Sequence, residues 1–423
     1  MSRRLLTGRV WTPALPGLLA LFAGCACAQA TGPYYLSLSQ SFSHDSNLLR
    51  LGDFQDTPTG FSRSDSISAT SLTAGIDQTF GRQRLFGSAS ARNSRYSKNT
   101  TYNNTGYSAS LGLDWSTVER ISGNLSASAS RSLQSFGADL FTVDRTKNLE
   151  TSKNLAGKVS VGLVTQYSAE FGFGHREVSN SLNTRNLQSR EFKQDNASLG
   201  LRWRPSAITT LGVAASGTQG RYPKFILASD GSFVGDRYKR QDIDFTATYR
   251  PTGASSVEGR LSQGKTTYDL NSRRDFSGLT GYIYWTWQAT GKLSLNSGYS
   301  RDTGQDSYAT TSPFNTPATA DYSRINTAGR LQLSYAATAK LSAVLGLTYT
   351  QRDLVRTIDD PFIPQNAFGN DKTTQLALGG RWTPTRTSLI GCDISNERRK
   401  GSGPLTQDMK SNSAACYGQI TLQ

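Results

Sequence analysis

Two histidines in 423 residues leave little from which to build a metal centre or an acid–base relay. His44 and His175 stand far apart in the chain, and no His, Cys, Asp or Glu cluster has metal-ligand spacing. Asp45 and Ser43 flank His44, but neighbours on a strand point to opposite faces. A phosphate-binding glycine loop is also missing. These absences exclude the common enzyme classes, and neither catalytic residues, a cofactor nor a nucleic-acid partner is expected. After residue 30 no stretch approaches the roughly 20 apolar residues of a membrane helix, and no segment shows a 3.6-residue period. The chain is poor in apolar residues overall, at 36%, with a mean hydropathy of −0.46. A soluble chain of this length divides into domains with apolar cores, for which too little material is present. Disorder is the other fate of polar chains, but disordered chains lack aromatics, and here they make up 10%.

The first 30 residues stand apart. Arg3, Arg4 and Arg9 form a basic start, "PALPGLLALFAG" an apolar stretch too short to span a bilayer, and "AQA" (Ala28 to Ala30) a small-x-small cleavage site. This reads as a secretory signal over 1–30, with 31–423 as one domain. "LFAGC" also resembles a lipoprotein signal ending at Cys25. Without the three arginines of this segment, which contains no acid, the formal charge falls from +15 to +12.

The remainder is dominated by a period of two. In "SASLGLDWSTVERISGNLSASAS", Ala109, Leu111, Leu113 and Trp115 share one parity, and serine, glycine and aspartate the other. After a short polar gap, Ile121, Gly123, Leu125, Ala127 and Ala129 resume the pattern. Two such runs with a tight connection make a β-hairpin. The hairpin recurs from Leu199, Phe245, Ile283, Leu333 and Leu376. Between the short turns lie longer polar connections: 45–65, 97–105, 134–151, 177–191, 220–238, 267–275, 302–321, 353–371 and 397–411. Short and long connections alternate, which gives eight turns, nine loops and eighteen strands.

One polar face and one apolar face throughout, with all long loops at one end, fit neither a propeller nor stacked sandwiches. They fit an all-β, transmembrane, antiparallel up-and-down β-barrel of about 18 strands, with short periplasmic turns and long extracellular loops. Closure removes every free strand edge, as hydrocarbon requires. Phe80, Trp115, Trp203, Tyr249, Trp287, Tyr335 and Trp382 each end a strand beside a short turn on the apolar parity. Amphipathic rings favour the headgroup level, so these seven are expected to form the periplasmic aromatic girdle.

The first mature strand and its exit, "PYYLSLSQSFSHDSNLLRLGD" from Pro33, carry a D-x-N-L-x-R motif at Asp45, Asn47, Leu48 and Arg50. In this motif and in its turn-flanking W-x-P repeats, the chain resembles the β-barrel porin 2 family. Within that family it resembles the EpsL-like outer-membrane proteins of exopolysaccharide operons. The resemblance implies a porin-like barrel tied to export or assembly of an extracellular polysaccharide, with that polymer and its periplasmic export machinery as partners. Outer-membrane lipid and lipopolysaccharide are the expected surroundings. A departure from the usual barrel pattern is the last residue, Gln423, where an aromatic is common; Tyr417 and Leu422 fit in part.

Inward parity is expected for Arg92, Lys158, Arg202, Arg204, Arg250, Arg260, Arg330 and Arg381, together with Asp77, Asp114, Glu170, Asp242, Asp244, Glu258 and Asp393. Two readings stay open: a lumen that attracts anions, or a wall of mutual ion pairs. A general diffusion porin for small polar or anionic solutes is the alternative to the polysaccharide role. "DRYKR", "SRRD" and "NERRK" read as basic loop segments that are either solvated or in contact with lipopolysaccharide or an acidic polymer. Finally, a hairpin symmetric about residue 404 sets Cys392 opposite Cys416, at the separation of a disulfide. The oxidising periplasm favours such a bridge.

Overall fold

The computed structural model describes residues 32–118, 120–134, 146–162, 166–227, 230, 232–270, 275–311, 317–359 and 365–423. The signal-like segment 1–30, including Cys25, lies outside the described residues. Eighteen strands follow one another. The first six are β1 (Tyr34–Asp45), β2 (Asp65–Phe80), β3 (Gln83–Tyr96), β4 (Asn104–Ser116), β5 (Ile121–Leu133) and β6 (Leu149–Val161). Next come β7 (Tyr167–Asn180), β8 (Phe192–Trp203), β9 (Thr209–Leu227), β10 (Phe233–Thr252), β11 (Ser255–Tyr268) and β12 (Phe276–Gln288). The last are β13 (Leu293–Thr311), β14 (Pro317–Ala336), β15 (Leu341–Asp359), β16 (Gln365–Trp382), β17 (Ser388–Ser402) and β18 (Met409–Leu422). A 3₁₀ turn at Thr100–Tyr102 and a four-residue helix, α1 (Arg185–Gln188), sit in two long connections.

Each strand pairs antiparallel with its neighbours in sequence. The sheet closes where β1 meets β18, from Leu36 opposite Leu422 to Asp45 opposite Ser413. The protein is a closed antiparallel 18-stranded barrel. Leucine, isoleucine, valine and aromatics on one parity are exposed outward, among them Leu111, Leu199, Leu201, Ile283 and Leu378. In water this face would be untenable; against lipid it is the favoured surface. Among the described residues, a small buried apolar cluster of Leu49, Leu51 and Tyr102 stands at the long-loop end.

The long connections differ from the sequence expectation. Residues 220–238, 302–321 and 353–371 are mostly strand: β9 runs to Leu227, β13 to Thr311 and β15 to Asp359 before their partners return. "DRYKR" belongs to β10 and "NERRK" to β17, rather than to loops. The reason is physical. Above the membrane both faces of a hairpin are wet, so strand persists without the apolar–polar alternation that marks it within the bilayer. Of "SRRD", Ser272, Arg273 and Arg274 lie outside the described residues.

Candidate functional site: the lumen wall and its mouth

Strand pairing puts directly opposed residues on the same face, so each cross-strand register fixes a row of lumen-facing side chains. Leu111 opposite Ala127 faces out, and Ser110 opposite Ser128 faces in. By this rule Arg92, Lys158, Arg202, Arg260, Arg330 and Arg381 all stand on the inward parity, as do the seven acids. Arg204 lies just past the end of β8. Arg250 lies at an irregularity in the β10–β11 register, at the rim beside the short turn.

Their partners could not be read from the sequence. Lys158 and Arg202 share one acid: Lys158 Nζ lies 2.9 Å and an Arg202 amino group 2.7 Å from Glu170. Several of the other acids take partners outside the expected set, while Asp393 feels the charge of the expected Arg381. Asp242 pairs with Arg240 at 2.8 Å, a residue of the "DRYKR" segment. Asp244 accepts from the hydroxyls of Ser216 and Ser262. Glu258 accepts from the Tyr282 hydroxyl at 3.3 Å. Asp77 takes Arg84 Nε at 2.7 Å, and Asn124 donates to Asp114 at 2.6 Å. Arg92 and Arg330 are exposed in the lumen. The wall is therefore mixed: some charges are neutralised by neighbours two residues or one strand away, and a few cations face water.

Several inward rings lie flat on the wall because the neighbouring strand offers a glycine. A Cβ added at Gly112 would collide with the Phe86 ring, one at Gly298 with Tyr284, and one at Gly391 with Tyr417. Sequence reading missed these rings, since one aromatic on the polar parity looks like an interruption. The signal was available as a glycine at the matching position of the next strand.

At the long-loop end the D-x-N-L-x-R motif becomes a fastening. Arg50 is only 4% exposed and holds a left-handed backbone, φ 52°. Its guanidinium donates to Asp45 at 2.9 and 3.1 Å, to the Asn47 carbonyl and to Ser411 Oγ at 3.3 Å, and lies 3.3 Å from Glu397. Asn47 closes the turn: its side-chain amide donates to the Leu51 and Lys410 carbonyls, and its oxygen accepts from the Leu51 amide. Leu48 packs on the Leu49, Leu51 and Tyr102 cluster. Asp45, Ser411 and Glu397 are inward residues of β1, β18 and β17, so the connection 46–64 is clasped to the inner wall of the mouth. Its far end is held by buried Asp65, which accepts from the Lys98 and Asn99 amides and the Asn99 side chain.

On the outer face, Phe80, Trp115, Trp203, Tyr249, Trp287, Tyr335 and Trp382 stand at the short-turn ends of β2, β4, β8, β10, β12, β14 and β16. Tyr167 stacks on Trp203 at 6.5 Å and Trp285 on Trp287 at 5.5 Å, two further outward rings against the girdle. Cys392 opposes Cys416, Cα to Cα 4.1 Å, and the two sulfurs are bonded. Both histidines also face out. His44 Nδ1 is 3.0 Å from Ser66 Oγ and His175 Nδ1 is 2.6 Å from Asp195; these pairs sit on separate strands and do not meet.

No family model and no curated protein sequence matches the chain. Solved outer-membrane barrels are similar in outline. OccK9 (OpdG) of Pseudomonas aeruginosa is 13% identical, with a TM-score of 0.44 over 92% of this chain and 98% of its own. OpdK of the same organism is 12% identical, with a TM-score of 0.44 over 92% and 99%. The FrpB iron transporter of Neisseria meningitidis (F3-3 variant) is 8% identical, with a TM-score of 0.46 over 92% and 82%. At such values the likeness carries no inference about substrate, and the barrel stands on its own strand register.

Proposed function

We propose that the protein is an outer-membrane channel of an exopolysaccharide system, with its short turns in the periplasm and its long hairpins outside the cell. The observation that carries the channel is the closed eighteen-stranded wall with a polar inner face. Barrels of 16–18 strands leave an aqueous lumen, whereas about eight strands fill with side chains. Support for the polysaccharide role comes from the mouth. Asp45, Asn47, Leu48 and Arg50, on which the family resemblance rests, act as one unit there. The outward cations Lys239, Arg398 and Lys400, on the loop-side halves of their strands, suit contact with lipopolysaccharide phosphates.

A general diffusion porin is the second reading, favoured by the exposed lumenal Arg92 and Arg330. Conductance of the refolded protein in planar bilayers, with and without polysaccharide purified from the producing strain, separates the two. Stepwise ionic current that the polymer interrupts supports the first reading. Current indifferent to polymer leaves the porin, and no current overturns both.

A further inference from the structure

Near its short-turn end the lumen wall carries a cluster of aromatic rings and charges. Tyr284 faces inward three residues from the girdle residue Trp287 and is 38% exposed. Its ring lies against the bare backbone of Gly298 on β13. Tyr282 sits beside it, ring centres 4.8 Å apart and planes tilted by 34°. Across on β11, Glu258 opposes Tyr284 and Arg260 opposes Tyr282. The Tyr282 hydroxyl donates to Glu258, and the Arg260 guanidinium lies 5.3 Å from the Tyr282 ring centre. A related arrangement stands on β3, nine strands away and so on the opposite wall: Phe86 over Gly112, with Arg84 5.0 Å from its ring centre and paired to Asp77.

We infer that Tyr284, with Tyr282, Glu258 and Arg260, is a stacking subsite for hexopyranose rings at the periplasmic entrance of the lumen. The inference rests on the channel reading and deepens it by naming the ligand class and the end from which it is taken up. An aromatic face is electron-rich and favours weakly positive C–H groups. A pyranose ring presents such C–H groups on its faces and hydroxyls around its rim. The tyrosine supplies the face, and the carboxylate and guanidinium supply an acceptor and donors for the rim. Glu258 and Arg260 have opposite charges, so the subsite suits neutral sugar units and its binding is insensitive to salt. One modest platform on each wall also suits a moving chain, because conduction needs sites weak enough to release.

The test is block of single-channel current by neutral maltohexaose and cellohexaose in 1 M KCl, applied to wild type, Tyr284→Phe and Tyr284→Leu. The leucine variant keeps apolar packing over Gly298 but removes the aromatic face. Wild type and the phenylalanine variant should show transient block by at least one of the sugars. The leucine variant should bind it about tenfold more weakly, with sugar-free conductance unchanged. Association should be faster when the sugar is added on the short-turn side. Ionic current that neither sugar interrupts, or equal block in all three proteins, overturns the subsite and leaves the channel standing. Equal association rates from the two sides overturn its assignment to the entrance. A wild type that carries no current fails at the channel reading itself.

Discussion

Removing the Arg50 guanidinium tests whether the mouth is fastened as the structure indicates. In Arg50→Ala, Asp45 loses its cation, and buried Glu397 is left with Arg399 alone, 4.0 Å away. Stranding one side of a buried ion pair costs about 3–5 kcal/mol. That corresponds to a roughly 150- to 4,000-fold rise in the released form of the connection 46–64. Arg50→Gly should fare better than alanine by about 1 kcal/mol, because glycine adopts the left-handed backbone freely. The double variant Arg50→Ala/Asp45→Asn should cost less than the sum of the single changes, since the carboxylate is no longer left unpaired. Limited proteolysis of the protein in outer-membrane vesicles reads the outcome: cleavage within 46–64 in Arg50→Ala, protection in wild type, and an intact heat-resistant barrel in both. Single-channel traces should show more frequent closures as the freed connection enters the lumen. Wild-type protection in Arg50→Ala, or additive costs in the double variant, would refute the clasp.

Mass spectrometry without reductant should find Cys392 and Cys416 two hydrogens lighter than as free thiols; the Cys392→Ser/Cys416→Ser variant should lose about 3 kcal/mol of stability for a loop of 24 residues. Glu170→Gln leaves Lys158 and Arg202 without their common carboxylate, so anion preference measured by reversal potential should rise about twofold at 0.1 M salt and fade at 1 M. Replacing Arg202, Arg250 and Arg330 together by Gln should lower it. Trp203→Ala removes the stack with Tyr167 and should lower the midpoint of urea unfolding from lipid vesicles, at a cost of about 1 kcal/mol beyond the lost area.

The barrel was legible wherever the bilayer imposed two unlike faces. Leu111 and Leu113 against Ser110 and Asp114 announce a strand, and the polar gap after Trp115 announces its turn. Outside the bilayer this signal vanishes, and Asp236, Arg240, Glu397 and Arg399 read as loop charges although they point into the mouth from β10 and β17. The inward parity of a lysine or arginine is local information, but its partner depends on register. Lys158 meets Glu170 only because β6 and β7 pair as they do. Likewise the motif at Asp45–Arg50 was visible as a pattern, whereas Glu397 and Ser411, more than 340 residues away, were not.

That separation explains where the fastenings lie. Seventeen strand pairings join sequence neighbours, and even their long loops are short beside the whole chain, so their closure costs less. The eighteenth, β1 to β18, joins the two ends of the chain and carries the largest loop-closure cost of all. Several cross-links stand at and beside this seam. Arg50 bridges β1 to β17 through Asp45 and Glu397, and Ser411 of β18 donates to Asp45 at 2.7 Å. On the opposite face of the same hairpin, Cys392 and Cys416 tie β17 to β18. The Ser46 amide adds a bond to the Asn412 carbonyl, one residue beyond the last paired position of the seam. A barrel without its seam is an open sheet with two bare edges in hydrocarbon, where each unsatisfied backbone group costs several kcal/mol. Local strength in the seventeen hairpins does not remove that cost, so the seam is the place where a few buried side-chain bonds have most effect on whether the barrel closes.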